Sequence, residues 1–334
     1  MKLDDFAYSI PEELIAQRPL AQRDQARLLV VDRKTQTFHH DIFANIAHFL
    51  PRSSCIVLND SKVIPARLLG RKSSGGQVEI FLLKKQAARD YETLMRPLRR
   101  MKAGDVIHFN GNHIKAQVID PQKRIVRFNR LNILRDLDRI GHMPLPPYIK
   151  RPDEKSDRID YQTVYAKNLG SVASPTAGLH FTKLLLSKLK KSGSTLAYVT
   201  LHVNYATFKP VEATDIREHQ MHIEEYEVSP QTFKQVNEAK AQGHPIVAVG
   251  TTSCRVLETI AGRPQRKGAT NLFIYPGYQF QMTDVLITNF HQPFTTLLML
   301  VYAFGGKDLV KKAYAEAISK KYRFYSYGDC MMIV

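Results

Sequence analysis

The spacing of hydrophobic and polar residues changes twice along the chain. Near the N-terminus, apolar runs at residues 27–32 (RLLVVD) and 55–59 (CIVLN) are typical of buried strands. Between about residues 64 and 149, turn sequences such as Ser-Gly-Gly at 74–76 and Asn-Gly-Asn at 110–112 separate short β-rich runs at 78–83, 91–96, 105–109, 113–119 and 124–128. Strands of this length and spacing predict a small antiparallel β-barrel.

A third pattern, in which helical and strand-like segments alternate, begins near residue 151. Helices are predicted at residues 181–191, 230–241, 253–260, 295–304 and 307–321. Strands are predicted at residues 195–201, 245–249, 271–274 and 285–288. This alternation favours an α/β layer with a mainly parallel sheet. A further short helix is expected near the N-terminus, where Ser9 precedes Pro11 and two glutamates, and it ends before Pro19.

The two changes of pattern predict two domains. We expect an α/β fold with a three-layer α/β domain built from both chain ends, residues 1–63 and 150–334. A small antiparallel β-barrel domain, residues 64–149, is inserted into it. Prolines at 144, 146 and 147 predict a stiff exit from the barrel.

The charge of the chain bears on its partners rather than on its fold. Lys and Arg total 48 against 31 Asp and Glu, which gives a formal net charge of +17. A small anionic substrate needs only a few cations, so a nucleic acid is the favoured partner. Basic residues concentrate at 96–102 and 150–151, and aromatic residues alternate with Arg323 at 322–327. Basic and stacking groups together favour unpaired bases, although a solvated surface explains any single segment.

Three features bear on the compartment of the protein. The cysteines, Cys55, Cys254 and Cys330, lie too far apart to suggest a disulfide framework or a zinc-binding pattern. The N-terminal sequence MKLDDFAYSIPEE is acidic and polar, unlike a signal peptide. The longest apolar run, residues 297–304, is too short to span a bilayer. We therefore expect a cytoplasmic protein with no membrane partner.

A loop at residues 250–253 follows a predicted strand and opens a predicted helix. In open α/β sheets, ligands bind at the carboxyl ends of the strands, beside helix N-termini. Gly250 allows the backbone to approach a ligand closely, and Thr251, Thr252 and Ser253 offer hydroxyl groups. The same residues are equally suited to capping the helix, so ligand binding and capping both stay open.

Two histidines end loops of the same kind. His180 lies in the sequence SPTAGLHF at 174–181, and His291 follows a predicted strand. A histidine at the mouth of a site is suited to proton transfer, and a half-buried structural histidine is the alternative. His219 and His222 are spaced to share a helical face and a metal ion, but no third ligand at a recognisable spacing follows. No metal is therefore expected.

Several widespread motifs are absent from the sequence. It contains no GxGxxG, no GxxxxGK[ST] and no GxSxG, and no cysteine lies beside an obvious histidine partner. Dinucleotide binding, P-loop chemistry and simple acyl transfer are therefore poorly supported.

Ten longer strings, in one order from end to end, carry a specific resemblance. They are LIAQRPL at 14–20, LNDSKVIPARL at 58–68, GHMPLPPYIKR at 141–151, YQTVY at 161–165, PTAGLHFT at 175–182, VGTTS at 249–253, YPGY at 275–278, TNFH at 288–291, TLLMLV at 296–301 and YRFYSYGD at 322–329. Each string is weak alone, but the ten in register resemble the S-adenosylmethionine:tRNA ribosyltransferase-isomerases of queuosine biosynthesis.

The resemblance implies a fold and a reaction. The fold is an α/β domain with an inserted β-barrel, in agreement with the changes of pattern above. The implied enzyme attaches the ribosyl part of S-adenosylmethionine to 7-aminomethyl-7-deazaguanine at the wobble position of tRNA. The sugar rearranges to an epoxycyclopentane, giving epoxyqueuosine, while adenine and methionine leave. S-adenosylmethionine is thus a consumed co-substrate, and no cofactor or metal is expected.

The motifs also suggest which residues take part, and the individual roles are our hypothesis. The reaction needs a base beside the sulfonium, a donor to the departing adenine and oxygen-bearing groups around the ribose. We expect the catalytic residues to be His180, His291 and Asp60. The expected substrate-binding residues are Arg67, Arg151, Pro175, Thr176, Gly178, Gly250, Thr251, Thr252, Ser253, Asn289 and Arg323. The expected tRNA-binding residues of this monomer are Arg96, Arg99, Arg100, Lys102 and Lys150.

The chain departs from the family pattern in two places. Where the family usually has His-Val-Gly-x-Gly-Thr-Phe, residues 202–208 read HVNYATF, so Asn204 and Ala206 replace both glycines. Because alanine tolerates positive φ poorly, this loop either differs in shape or does not need glycine there. Gln292, Pro293 and Phe294 also replace the usual Leu-Pro and a polar residue. We expect an active enzyme, since the longest motifs are kept.

Two other functions compete with this interpretation. A non-catalytic RNA-binding protein on the same fold needs the charge but no small-molecule site. An ordinary S-adenosylmethionine methyltransferase normally has a glycine-rich loop after its first strand, and RLLVVDRKT at 27–35 contains no glycine.

Overall fold

The computed structural model describes residues 1–109 and 113–334. The first strands are β1 (Arg27–Asp32), β2 (Thr37–Ile42), β3 (Cys55–Asn59), β4 (Ser61–Val63), β5 (Arg67–Lys72), β6 (Gln77–Lys85), β7 (Asp90–Arg96), β8 (Val106–Phe109) and β9 (Ile114–Asp120). They are followed by β10 (Ile125–Phe128), β11 (Gly141–His142), β12 (Asn168–Ser171), β13 (Thr195–Leu201), β14 (Glu224–Val228), β15 (Ile246–Val249), β16 (Lys267–Thr270), β17 (Val285–Asn289) and β18 (Cys330–Ile333). The predicted turn at 110–112 lies outside the described residues.

The longer helices lie in the second half of the chain. The α-helices are α1 (Leu137–Ile140), α2 (Asp157–Asp160), α3 (Lys183–Lys191), α4 (Pro230–Ala241), α5 (Gly250–Ile260), α6 (Thr296–Gly305) and α7 (Lys307–Ser319). Short 3₁₀ helices occur between them, including Thr176–His180 and Tyr205–Phe208. No helix in the described part of the chain is long and apolar enough to cross a membrane.

A nine-stranded sheet forms the centre of the α/β part, in the order β16-β14-β13-β3-β15-β17-β18-β1-β2. Its four middle strands, β13, β3, β15 and β17, run parallel to one another. Towards the edges, antiparallel pairs join β13 to β14, β14 to β16, β17 to β18 and β1 to β2. The prediction of a mainly parallel sheet therefore holds for the four middle strands. Beyond them, β18 from the C-terminus pairs antiparallel with β17 and parallel with β1.

The sheet is covered on both faces, which confirms the three layers. Leu29 and Val31 of β1 belong to a hydrophobic core that includes α4, α5, α6 and α7. Leu28 and Val30 point the other way, into a core with α3 and the 3₁₀ helix Phe43–His48. Because both faces are buried, the central strands are continuous apolar runs, as the sequence predicted.

The second sheet is a closed antiparallel barrel with its own core. Its strand order is β5-β6-β7-β10-β9-β8, and pairing of β5 with β8 closes it, while β11 pairs with β5 outside the ring. Gly70 on β5 lies at the closure, where an added Cβ would sit 2.7 Å from Ile107 Cγ2. The barrel strands lie between Arg67 and Phe128, and β11 ends at His142.

Two predicted elements are wrong. The expected N-terminal helix is a single 3₁₀ turn, Glu12–Leu14, without a side-chain cap, because the chain beyond it pairs with Phe324 instead of continuing. The expected strand at 271–274 is not formed, and the strand in this region, β16, ends just before it at Thr270. The carbonyl of Leu272 accepts a hydrogen bond from Arg255 Nε (3.0 Å), so a side chain uses the acceptor that a sheet would need.

Candidate active site

One cleft lies at the carboxyl ends of two neighbouring strands of the large sheet. Strands β15 and β17 are adjacent and parallel, with Val249 opposite Ile287, so the loops that follow them meet. The cleft encloses about 620 Å³ of empty space, open solvent at its mouth included. Of the residues expected from the sequence, those lining it are Pro175, Thr176, Gly250, Thr251, Thr252, Asn289 and His291.

The start of α5 forms one wall of the cleft. Gly250 has φ +85°, a conformation that favours glycine, while an added Cβ would meet only ordinary contacts. Helix α5 begins at Gly250, so its N-cap residue is Val249, which has no side chain able to cap it. The threonine and serine hydroxyls at 251–253 therefore do not occupy the N-cap position. Buried hydroxyls of Thr252 and Ser174 line the cleft and have no hydrogen-bond partner within residues 1–109 and 113–334. Such donors are suited to a hydroxylated ligand.

His291 provides a titratable group in the cleft. It follows β17, and its Nε2 lies 2.7 Å from Thr288 Oγ1. Its backbone N–H donates to the hydroxyl of Tyr314 at 2.9 Å. Burial lowers the pKa of His291 to about 3, which keeps the imidazole neutral at pH 7. A neutral imidazole in a cleft is able to accept a proton from a bound ligand.

His180 lies behind the cleft instead of lining it. It borders a neighbouring cavity with Arg23 and Tyr327, and its Nε2 is 3.1 Å from Asn289 Oδ1. Asn289 Nδ2 donates to the carbonyl of Tyr325 at 2.8 Å. The amide oxygen of Asn289 therefore faces His180, and Nε2 of His180 carries the hydrogen. Burial lowers the pKa of His180 to about 4, although the hydrogen bond that His180 donates to Asn289 acts in the opposite direction.

Asp60 lies outside the cleft. It follows β3 and borders a different cavity, with Tyr198 and His202. Its carboxylate accepts hydrogen bonds from Thr200 Oγ1 at 2.6 Å and from Asn168 Nδ2 at 3.0 and 3.1 Å. The structure therefore does not bring the three expected catalytic residues together in one cavity.

The three arginines expected to bind substrate form contacts within the protein. Arg151 makes a bidentate ion pair with the fully buried Asp157, at 2.7 and 2.8 Å. Arg67 pairs with Glu79 at 2.9 Å, and the guanidinium of Arg323 donates to the carbonyl of Arg18. These arginines are absent from the lining of the cleft as far as the described residues define it.

Gly178 and Ser253 pack within the protein and do not line the cleft. An added Cβ on Gly178 would lie 2.1 Å from the hydroxyl oxygen of Tyr165, so this glycine permits a close approach of that tyrosine. Ser253 is completely buried beneath the cleft on α5 and does not line it.

Of the basic residues expected to bind tRNA, all but Lys150 belong to the barrel part of the chain. Arg99 and Arg100 are exposed in the 3₁₀ helix Leu98–Arg100, and Lys102 follows it. Arg96 borders a groove between the barrel and the proline-rich segment, together with Arg67 and Arg151. Lys150 is exposed and pairs with Glu12.

Sequence reasoning did not assign the aromatic wall of the cleft to individual residues. The ring of Tyr148 lies 4.8 Å from that of Tyr325 and 6.1 Å from that of Phe208. The hydroxyl of Tyr148 is 2.6 Å from Ser326 Oγ. Tyr325 has φ +71°, a rare conformation for a bulky residue and one that often marks a functional site. The aromatic run at 322–327 and the tyrosine after the paired prolines were the available signals.

The loop that departs from the family pattern also reaches the cleft. Thr207 and Phe208 line it, whereas the ring of Tyr205 packs against Phe81 of the barrel at 4.8 Å. Asn204 is not among the described residues with positive φ. At Asn204 the loop therefore does not use the conformation for which glycine is needed.

Metal binding is not indicated by the side-chain arrangement. Within residues 1–109 and 113–334, no group of three or more His, Cys, Asp or Glu residues is placed to hold a metal ion. His219 packs instead against the ring of Phe273, with centroids 5.4 Å apart.

Comparison with known proteins identifies the family. The model of a family described as queuosine biosynthesis protein matches residues 3–333. The S-adenosylmethionine:tRNA ribosyltransferase-isomerases of Clostridium kluyveri and Caldanaerobacter subterraneus subsp. tengcongensis are 48% and 47% identical, with all of each chain covered. The crystal structure of S-adenosylmethionine tRNA ribosyltransferase from Thermotoga maritima has a TM-score of 0.57 and 37% identity, covering 99% of this chain and 100% of that one. The chain belongs to the family of S-adenosylmethionine:tRNA ribosyltransferase-isomerases of queuosine biosynthesis, as its motifs predicted.

Proposed function

We propose that this protein transfers and isomerises the ribosyl moiety of S-adenosylmethionine onto 7-aminomethyl-7-deazaguanine at the wobble position of tRNA. The products are epoxyqueuosine-tRNA, adenine and methionine. The observation that carries the proposal is the single cleft in which PTA at 175–177, GTT at 250–252 and NFH at 289–291 meet, in a chain of this family. S-adenosylmethionine is a consumed co-substrate, and no other cofactor takes part.

The base in this proposal is His291. Burial holds its pKa near 3, so the imidazole is unprotonated throughout the neutral range and does not repel a cationic sulfonium. A low pKa makes a weak base, but the sulfonium acidifies the neighbouring C–H and so reduces the basicity that proton removal requires. His180 acts indirectly, through its hydrogen bond to Asn289, as a positioning residue.

The rest of the cleft is suited to a sugar and a base. The unpaired hydroxyls of Ser174 and Thr252 hold the ribose oxygens through the rearrangement. The rings of Tyr148, Phe208 and Tyr325 form a stacking surface for the adenine or for the extruded deazaguanine. Aromatic stacking is suited to a wobble base, which is unpaired in the anticodon loop.

The tRNA contacts follow the distribution of charge. Arg99, Arg100 and Lys102 are exposed beside the barrel and contact backbone phosphates. Arg96 and Arg67 border the groove between the barrel and the proline-rich segment at 143–147. The net charge of +17 supports this partner. The protein acts in the cytoplasm, as a monomer.

The proposed function is tested by product analysis with tRNA that carries the modified wobble base. Wild-type protein releases adenine, and mass spectrometry of the wobble nucleoside detects epoxyqueuosine. His291→Ala lowers kcat by about 10²–10⁴-fold, because the proton-transfer group is lost. His39→Ala, on the exposed strand β2, is the matched control and keeps wild-type kcat.

Three results would contradict parts of the proposal. A methylated nucleoside with S-adenosylhomocysteine would show a methyltransferase, and no adenine release from wild-type protein would leave only RNA binding. A folded His291→Ala variant with unchanged kcat would remove His291 as the base.

A further inference from the structure

A second cleft adjoins the candidate active site and contains none of the residues expected from the sequence to act there. It encloses about 1070 Å³ of empty space, open solvent at its mouth included. Thr207 and Leu297 line both clefts, so the two adjoin at these residues. We call it the Arg255 cleft, after a buried arginine of α5 in its lining.

Arg255 has an unsatisfied donor in this lining. Its side chain is only 7% exposed. Nη1 forms an ion pair with Glu224, and Nε donates to the carbonyl of Leu272 at 3.0 Å. Nη2 has no hydrogen-bond partner in residues 1–109 and 113–334. A buried guanidinium normally uses its donors, so the free Nη2 indicates an acceptor that arrives with a ligand.

The other side chains restrict the chemistry of that ligand. Glu224 already neutralises Arg255. At the exposed side of the cleft, the carboxylates of Glu212 and Glu218 outnumber the ammonium of Lys209. A simple anion would meet these three carboxylates, and a simple cation would leave Nη2 unpaired. A ligand that carries one carboxylate and one ammonium satisfies both.

The walls between the charged groups are apolar. Met221, Ile274 and Leu300 line the cleft beside Leu297. An unbranched thioether chain packs well against such surfaces, because it is apolar and polarisable. The charges and the apolar wall together fit a zwitterionic α-amino acid with a short apolar side chain.

We propose that the Arg255 cleft binds the α-amino acid end of the sulfonium substrate, with Arg255 on its carboxylate and Glu224 or the exposed glutamates on its ammonium. This inference rests on the proposed function. The sulfonium then lies where the clefts join, near Thr207 and Leu297, and the ribose lies near His291. L-Methionine, released by the reaction, binds the same cleft as a product.

Calorimetric titration with free L-methionine tests the inference on unmodified protein. L-Methionine binds the wild-type protein, and L-methionine methyl ester, which lacks the carboxylate, binds about tenfold or more weakly. Equal binding of the two compounds, or no binding of L-methionine, would overturn the inference. Because this comparison changes only the ligand, it does not depend on the folding of a variant.

Arg255→Lys tests the residue while keeping its charge. A lysine has no planar fork, so the variant raises KM for S-adenosylmethionine about tenfold or more with little change in kcat, and L-methionine inhibition weakens equally. Arg263→Lys, exposed just after α5, is the matched control with unchanged KM. A folded Arg255→Lys variant with wild-type KM and methionine inhibition would overturn the assignment.

The two proposals fail differently. In one case, methionine binding requires the carboxylate and Arg255, but assays with tRNA show no adenine release. This result contradicts the proposed function and supports the amino acid site. Adenine release that is insensitive to Arg255→Lys and to L-methionine supports the function and overturns the site.

Discussion

His180 and His291 have similarly depressed pKa values but different neighbours. Both are buried, and burial disfavours the charged imidazole at each position. His291 lines the cleft and bonds to Thr288, whereas His180 bonds to Asn289 from behind it. At the residue scale, the sequence indicated both histidines as candidates. Only their surroundings in the structure show that His291 lies in the cleft and that His180 orients Asn289 from behind it.

The two histidines predict a pH dependence of stability. Their pKa values fall from 6.5 in the unfolded chain to about 4 and about 3 in the native state. Below about pH 6.5 the unfolded state binds more protons, so the free energy of unfolding decreases as the pH falls, by up to about 1.4 kcal/mol per pH unit for each histidine.

Urea unfolding between pH 7 and pH 5 measures this dependence. His180→Gln and His291→Gln each flatten the slope, while the exposed control His39→Gln does not. A wild-type slope retained in both buried-site variants would refute the assignment to these histidines.

Arg151 is a second residue whose role the tertiary structure changes. A phosphate contact was expected, but its guanidinium holds the fully buried carboxylate of Asp157. Arg151→Ala leaves that carboxylate without its cationic partner and lowers the free energy of unfolding by about 3–5 kcal/mol. Chemical denaturation provides the measurement, with the exposed Arg99→Ala as control. A fully stable Arg151→Ala variant with weakened tRNA binding would favour the phosphate contact instead.

At the scale of secondary structure, local pattern predicted most elements well. Strands β1, β3 and β13 and helix α4 have the bounds that the sequence indicated. Weak local signals caused the omissions: β5, β14 and β16 carry exposed polar residues, and β18 is an apolar run of only four residues, CMMI. These strands depend on neighbours distant in sequence, as β18 depends on β1 and β17.

Closure of the barrel predicts the effect of a substitution on β5. A Cβ at Gly70 would lie 2.7 Å from Ile107 Cγ2 and 2.9 Å from the carbonyl oxygen of His108. Gly70→Val therefore separates β5 from β8 and destabilises the protein by about 1–3 kcal/mol. Gly76→Val, which has no atom within 4 Å of its added Cβ, is the control. Thermal unfolding that is the same for both variants would contradict this account of the closure.

At the scale of the whole molecule, the net charge of +17 predicts a strong dependence of tRNA affinity on salt. Each phosphate contact releases counterions, so Arg99→Ala and Arg100→Ala each reduce the slope of log K against log[salt] by about 0.7–0.9. Lys34→Ala, in the turn between β1 and β2, leaves the slope unchanged. Filter binding at several salt concentrations measures the slopes, and equal slopes for all variants would exclude the barrel side as the phosphate surface.

The sequence by itself determined the family, the three-layer α/β architecture with its closed barrel, and the strand-end loops that carry polar groups. These features could be predicted because hydrophobic periodicity and motifs depend only on residues that are close together in the sequence. The tertiary structure decided which of those loops share a cleft. Strand order brings the ends of β15 and β17 together beside Tyr148 and Tyr325, while Asp60 turns towards Thr200 and Arg151 towards Asp157. Except for Arg151 and Asp157, these contacts join residues distant in the sequence and depend on packing, which no local pattern encodes.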